Sequence, residues 1–134
     1  MRTRSVSRPE AASQARLQLV LILLAAWNGL TFVLQLVNAD VLEAGNIDGL
    51  LGARALSGAS GVLAIAYAYA ARNPLRYRVI VWIGLIEQVV ALFSYTFHLA
   101  RNDIEFSEAW LPIAVAAIFL VLLLATLPRQ TDTI

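Results

Sequence analysis

Cysteine is missing from this chain of 134 residues, and histidine and methionine occur once each. Without thiolates, disulfide bonds, thiolate metal sites and cysteine nucleophiles are all excluded. Charged residues are scarce as well, at 14%, while hydrophobic residues make up 60%. Typical soluble proteins have about 25% and about 45–50%, respectively. A soluble domain of this length could not hide so much apolar surface, so the composition predicts that lipid surrounds much of the chain.

Recognisable catalytic motifs are also missing. The sequence has no Walker loop, no dinucleotide-binding glycine pattern and no supported Ser/His/Asp set. The segment SGASG at residues 57–61 has the spacing of a nucleophile elbow, but close helix packing explains it better in an apolar stretch. All ten Lys/Arg positions are arginine, and they do not support a nucleic-acid-binding surface. The sequence therefore favours a non-enzymatic protein without a cofactor and without a nucleic-acid partner.

Stretches with almost no charge recur along the chain, at residues 17–37, 55–71, 79–99 and 109–127. Each is close to the roughly 17–25 residues that a helix needs to cross a bilayer. Helices are expected because lipid offers no water to satisfy unpaired backbone groups. The first stretch is too long for a signal-peptide core, which predicts a retained helix.

We therefore predict an all-α integral membrane protein with an up-down-up-down four-helix bundle over residues 17–128. A basic cytoplasmic tail (1–16) precedes the bundle and a short tail (129–134) follows it. The link RNPLRYR is short, so the second and third helices are expected to be antiparallel neighbours. Asn73 followed by Pro74 is typical of a helix N-cap and first turn.

The arginines predict the orientation of this bundle. Four of them precede the first helix, three surround the link between the second and third, and Arg129 follows the fourth. The opposite side has only Arg54 and Arg101, beside two acidic loops. By the positive-inside rule, both termini and the middle link are cytoplasmic. The expected location is the bacterial inner membrane.

Helix association in lipid depends on small residues and buried polar groups. The second helix carries Ser57, Gly58 and Gly61, which let a neighbouring backbone approach closely. The first helix carries a polar stripe on one face, made of Asn28, Thr31, Gln35 and Asn38. Amide groups facing lipid are costly when unsatisfied, so this stripe is expected to face protein or water. Two alternatives remain, a hydrogen-bonded seam between helices and the wall of a polar cavity.

An acid interrupts the third stretch: Glu87, within GLIEQVVALFSYTFHLAR. Steps of three or four residues place it on one helical face with Ser94 and His98. An intramembrane acid is by default a functional hypothesis, because an ionised carboxylate is expensive there. Three interpretations compete: a protonated structural hydrogen-bonder, a proton- or cation-binding acid, and a contact to a partner subunit or ligand. Asn28 and Gln35 are the expected hydrogen-bond partners, and these five residues form the predicted polar site.

His98 is the only histidine and so the only histidine that could ligate a haem. No His-x-x-His or Glu-x-x-His pair accompanies it. No metal site is therefore predicted.

The segment RALSGASGVLAIAYAYAARNPLRYRVIVWIGLIEQVVALFSYTFHLARN resembles the DoxX-like and BphX-like group of small bacterial four-helix membrane proteins. The matching features are an arginine before a small-residue second helix, an Ala-Arg-Asn-Pro turn and a third helix with glycine near its start. The resemblance implies a four-helix membrane bundle and supplies no catalytic residues.

Three functions fit these residues. The leading hypothesis is an accessory or scaffold subunit that packs against partner proteins or lipids, because catalytic motifs are lacking and small-residue packing surface is abundant. The second is a small proton-coupled transporter or channel that uses Glu87. The third and weakest is a redox- or quinone-associated subunit that uses His98. The expected partners are the lipid bilayer and either other protein subunits or further copies of the chain.

Overall fold

The computed structural model describes the backbone of residues 8–38 and 47–127, and the side chains of residues 11–37 and 57–127. These residues form an all-α structure of helices α1 (Arg8–Asn38), α2 (Ile47–Ala70), α3 (Arg78–Ala100) and α4 (Phe106–Thr126). The predicted all-α class is confirmed. Residues 1–7 of the predicted N-terminal tail and all of the predicted C-terminal tail lie outside the described residues, whereas residues 8–16 are helical.

Long apolar helices account for most of the described chain. The spans Ala11–Val37, Arg78–Ala100 and Phe106–Thr126 are each long and apolar enough to cross a membrane. The side chains of α2 are described only from residue 57 onward, a stretch shorter than the roughly 17 residues that a span requires. Many large apolar side chains on the outside are more than half exposed, including Val79, Phe93 and Val121. Such a surface suits contact with lipid rather than with water.

Two antiparallel helices, α1 and α2, pack closely through small residues. A Cβ atom built on Gly29 would lie 3.9 Å from Cβ of Ala64, and one built on Gly61 would lie 3.1 Å from Cδ2 of Phe32. The hydroxyl of Ser57 donates to the backbone oxygen of Phe32 at 3.2 Å. Later residues of α2 thus contact earlier residues of α1, which shows that the two helices are antiparallel. Helix α3 packs most extensively against α4, while α1–α4 and α2–α3 contacts are smaller.

The buried apolar core lies at the end of the molecule that contains the α2–α3 turn. It is formed by Leu17, Val20, Leu21 and Leu24 of α1, Tyr67, Ala70 and Ala71 at the end of α2, Val81 and Leu85 of α3, and Phe119 and Leu123 of α4. Toward its other end, α3 is uncovered: residues 93–98 are all exposed. In the first half of α3, the face that carries Val81, Gly84, Leu85 and Gln88 is buried, whereas residues 93–98 of the second half are covered on no face.

The connection between α2 and α3 is a separate turn rather than the first turn of α3. Asn73 caps this turn, since its side-chain oxygen accepts from the backbone N–H of Arg76 at 3.2 Å. Tyr77 then leaves the helical region of backbone space with φ −104° and ψ 39°. That interruption explains why α3 begins at Arg78 and not at Pro74, where the sequence pattern placed a helix start.

Helix α4 begins earlier than its apolar sequence suggests because a capping box fixes its start. The Glu105 side chain accepts from the backbone of Glu108, and the Glu108 side chain accepts from the backbone N–H of Glu105. Such reciprocal bonds satisfy backbone donors that a helix start leaves unpaired. Pro112 lies within α4, which continues beyond it to Thr126.

Candidate functional site

The acid within the apolar helix α3 is hydrogen-bonded to a tyrosine of α2. The hydroxyl of Tyr67 donates a hydrogen bond to Oε2 of Glu87. Tyr67 is fully buried, and Glu87 is half-buried. The side chains of Asn28 and Gln88 also lie within hydrogen-bonding reach of the carboxyl group. We call Glu87, Tyr67, Asn28 and Gln88 the Glu87 cluster; it joins three helices.

A glycine one turn before the acid allows this arrangement. A Cβ atom on Gly84 would lie 3.3 Å from Cδ2 of Leu24 and 3.3 Å from Cε1 of Tyr67. Without that atom, the tyrosine ring lies directly against the α3 backbone. Because Glu87 follows Gly84 by three residues, it lies on the same face of α3. The close approach at Gly84 therefore brings the Tyr67 hydroxyl to the carboxyl group of Glu87.

Asn28 contributes an amide from α1, and this side chain is only 3% exposed. One of its N–H groups donates to the backbone oxygen of Leu24 at 3.2 Å. A primary amide has two such donors, so a second remains for the carboxyl group of Glu87. That Asn28 serves as a hydrogen-bond partner of Glu87 stays a prediction, and the structure places the two side chains within reach of one another.

Neutral groups surround the acid on the sides that the structure describes. Tyr67, Asn28 and Gln88 carry no positive charge, so none of them is a counter-ion for an ionised Glu87. A buried carboxylate without a counter-ion is strongly disfavoured, and replacing it by a neutral carboxylic acid removes that cost. The cluster is therefore suited to a protonated Glu87 that both accepts and donates hydrogen bonds, or to an acid that takes up and releases a proton.

Gln35 lies away from the Glu87 cluster. It follows Asn28 by seven residues, roughly 10 Å along the helix. Its Oε1 atom is buried and has no hydrogen-bond partner among the described residues. Of the remaining stripe, Thr31 donates to the backbone oxygen of Trp27 at 2.9 Å, while the side chain of Asn38 lies outside the described residues. The stripe is thus satisfied partly by its own helix.

Ser94 and His98 are not brought to Glu87 either. Both are exposed, and His98 is about 16 Å from Glu87 along the axis of α3. The imidazole Nδ1 lies 3.0 Å from Oδ2 of Asp103, and Nε of Arg101 lies 3.4 Å from the same oxygen. His98 thus belongs to a charged group at the end of α3. Within the part of the chain that the structure describes, no three His, Asp or Glu side chains are grouped to hold a metal ion.

The predicted packing residues of α2 divide between two sides of the helix. Ser57 and Gly61 face α1, as their contacts with Phe32 show. Gly58 is exposed, and a Cβ atom built on it would meet no atom within 4 Å. The side of α2 that carries Gly58 therefore packs against no other described part of this chain.

Sequence reasoning missed two members of the Glu87 cluster, Tyr67 and Gln88. Tyr67 was expected in the core, where it is, but not as the partner of the acid. The register across the short turn gave no signal for this pair. Tyr67 precedes Pro74 by seven residues whereas Glu87 follows it by thirteen, so two antiparallel helices alone do not place them at the same depth.

No protein-family model, curated protein or solved structure matches the chain. The Glu87 cluster and the uncovered faces of α2 and α3 are consequently the observations from which a function is argued.

Proposed function

We propose that the chain is a non-enzymatic integral membrane protein that acts as an accessory or scaffold subunit. In this proposal all four helices cross the bacterial inner membrane as an up-down-up-down bundle, with both termini cytoplasmic. The observation that carries the proposal is that two uncovered places, one around Gly58 on α2 and one around Ser94 on α3, carry small or polar side chains instead of the large apolar side chains that suit lipid. The resemblance to the DoxX-like and BphX-like group belongs to the same proposal, since that group consists of four-helix membrane bundles.

The uncovered surface has two parts. On α2, Gly58 and the neighbouring Ala59 are exposed; on α3, the polar side chain of Ser94 is exposed. Small side chains let a second helix approach closely, and polar side chains in lipid gain from a hydrogen-bonding partner. Both parts therefore favour a further protein helix over lipid as their neighbour.

The Glu87 cluster supports the same proposal from inside the molecule. Its acid accepts a hydrogen bond from Tyr67 of α2, and the neutral side chain of Asn28 of α1 lies within reach of it; contacts of this kind fix helices relative to one another. In this role Glu87 needs no substrate.

The proposal is tested by gentle solubilisation of native membranes followed by native electrophoresis of the tagged full chain. We expect the chain to migrate with partner subunits or further copies of itself. Gly58→Leu and Ser94→Leu should each be compared with Ile65→Leu, a change on an exposed apolar position of α2. A clash introduced into a packed interface costs about 1–3 kcal/mol, so at least one of the two variants should release about ten-fold more free chain.

A free monomer as the only species would contradict the scaffold proposal. Full assembly of both leucine variants would contradict the assignment of the interface to α2 and α3. Because both positions are exposed, both variants are expected to keep wild-type helix content by circular dichroism.

A second candidate function is a small proton-coupled transporter or channel in which Glu87 is the coupling acid. The observation that favours it is the partial exposure of Glu87, which leaves the carboxyl group accessible to a proton. Glu87→Gln should then abolish proton-driven flux in proteoliposomes while folding stays intact. Glu108→Gln, at the exposed start of α4, is the control. Unchanged flux in Glu87→Gln would exclude this mechanism. The contacts that His98 makes among the described residues, with Asp103 and Phe97, do not favour the redox hypothesis.

A further inference from the structure

Arginines crowd the short connection between α2 and α3. Arg72, Arg76 and Arg78 are all exposed. The ion pairs among the described residues involve Asp103 only, so no described carboxylate neutralises these three side chains. The connection is therefore a concentrated positive patch.

This patch lies at the depth of lipid headgroups. Arg78 is the first residue of a helix that is long and apolar enough to span the membrane, so Arg78 marks the boundary of that span. Leu75, at the tip of the turn, is 42% exposed and offers an apolar side chain between the arginines. Tyrosine is typical of the same level, where its ring contacts the apolar side and its hydroxyl the polar side.

Two tyrosines hold two of the guanidinium groups in place. The rings of Tyr69 and Tyr77 have centroids 4.9 Å apart, and the Tyr77 hydroxyl donates to the Tyr69 hydroxyl at 3.1 Å. Arg72 lies 5.8 Å from the Tyr69 ring centre and Arg76 lies 5.7 Å from the Tyr77 ring centre. Stacking on an aromatic face restricts a guanidinium while leaving its N–H edge free to bind an anion.

The electrostatic surroundings favour an anion as well. Leu17 belongs to the same buried core as Ala70 and Ala71, which places Arg16, the residue before it, at this end of the molecule. Apart from Glu87, the first described carboxylate is Asp103. It lies beyond the far end of α3, roughly 35 Å from the arginines for a helix of this length. The hydrogen bond with Tyr69 raises the pKa of the Tyr77 phenol above its ordinary value, so Tyr77 adds no negative charge at neutral pH.

We propose that Arg72 and Arg76, ordered by Tyr69 and Tyr77, form together with Arg78 a binding site for the phosphate group of an anionic phospholipid. A guanidinium donates two parallel N–H bonds to phosphate oxygens, which gives geometric selectivity as well as charge. An anionic lipid is favoured over a zwitterionic one because the latter carries its own cation beside the phosphate. The site depends on neither the scaffold function nor the sidedness of the bundle.

The test is native mass spectrometry of the purified full chain titrated with phosphatidylglycerol or phosphatidylcholine. The wild type should bind phosphatidylglycerol at least ten-fold more tightly. A double variant with Arg72→Gln and Arg76→Gln should lose about five-fold in affinity for phosphatidylglycerol for each arginine removed. This loss corresponds to the ~1 kcal/mol that an arginine contributes at an anionic membrane surface. The matched control is Arg101→Gln. Arg101 also stacks on an aromatic ring, 5.4 Å from the centre of Phe97, but it forms an ion pair with Asp103. The affinity of this variant for phosphatidylglycerol should be unchanged.

A second double variant tests whether the tyrosines contribute by holding the arginine side chains in place, without any change in charge. Tyr69→Phe with Tyr77→Phe keeps both rings and removes the bond between their hydroxyls, so affinity should fall by a few fold while all arginines remain. Circular dichroism should show wild-type helix content for every variant, because each changed side chain is at or near the surface.

Equal affinity for the two lipids, wild-type affinity in the double arginine variant, or an equal loss in Arg101→Gln would each overturn the proposal. Soluble glycerol 1-phosphate is titrated in parallel against the chain in phosphatidylcholine nanodiscs. Binding of this probe as tight as that of phosphatidylglycerol would also overturn the proposal, because the site would then recognise a free phosphate ester rather than a lipid.

Discussion

Tyr67 and Glu87 belong to different helices, and the hydrogen bond between them is made inside the apolar part of the molecule. Water cannot replace either partner easily there, so a lone polar group is costly. Measured side-chain hydrogen bonds between membrane helices nevertheless average only about 0.6 kcal/mol and reach about 1.7 kcal/mol. At the scale of the residue, Tyr67 is therefore expected to contribute a modest and measurable stabilisation.

Replacing Tyr67 by phenylalanine tests that expectation. The change keeps the ring against Gly84 and removes only the hydroxyl that Glu87 accepts from. We expect the free energy of unfolding to fall by about 0.5–1.5 kcal/mol, measured by equilibrium unfolding in mixed detergent micelles. Tyr95→Phe is the matched control, since Tyr95 is exposed and should change stability by less than about 0.5 kcal/mol. Equal stability of the two variants would mean that the Tyr67 hydroxyl does not support the fold.

Helices were predictable from hydropathy, but helix ends were not. Apolar stretches at residues 17–37 and 109–127 identify helices that actually begin at Arg8 and Phe106. Hydropathy marks the part of a helix that suits lipid, whereas the helix itself continues through polar residues until a cap or a change in backbone geometry ends it. Glu105 supplies such a cap for α4.

The sequence predicted that the site would consist of polar side chains around Glu87, but it identified only some of those side chains. Glu87 and Asn28 were found because a polar group in an apolar helix is conspicuous. Ser94 and His98 share the helical face of Glu87, but a shared face does not reveal where the other helices stop covering it. The contact of Tyr67 with Glu87 depends on how α2 and α3 are aligned along their axes, and a pattern within one helix does not contain that information.

Helix packing at glycine gives the prediction at the scale of the element. Gly84→Ala adds a Cβ atom 3.3 Å from both Leu24 and Tyr67, so it forces neighbours apart in the core. Gly58→Ala adds a Cβ atom that meets nothing within 4 Å and gains up to about 1 kcal/mol of helix propensity. We expect Gly84→Ala to be about 1–3 kcal/mol less stable than Gly58→Ala, measured by thermal or detergent-induced unfolding. If the two variants were equally stable, α3 would not approach α2 as closely as Gly84 implies.

At the scale of the whole molecule, the path of the chain through the membrane decides how its surfaces are used. Helices α1, α3 and α4 have the length and composition of spans, and the proposed bundle adds α2 as a fourth. The two possibilities predict different sidedness for the same residues. With four spans, the start of α1 and the α2–α3 turn lie on one side of the membrane and the α3–α4 turn lies on the other. With three spans and α2 on the surface, the α2–α3 turn changes sides relative to the start of α1.

Single-cysteine variants distinguish these paths, and the natural chain contains no cysteine that would interfere. Ala12→Cys, Asn73→Cys and Asn102→Cys report on the start of α1 and on the two turns; all three positions are exposed. In intact spheroplasts, a membrane-impermeant maleimide should label only Asn102→Cys, and permeabilisation should expose the other two, because the arginine-rich side is expected to be cytoplasmic. Labelling of Ala12→Cys and Asn102→Cys from the same side, with Asn73→Cys opposite, would establish three spans. That result would also place the proposed lipid site of Arg72, Arg76 and Arg78 at the outer leaflet. Its lipid selectivity would be measured by the same native mass spectrometry.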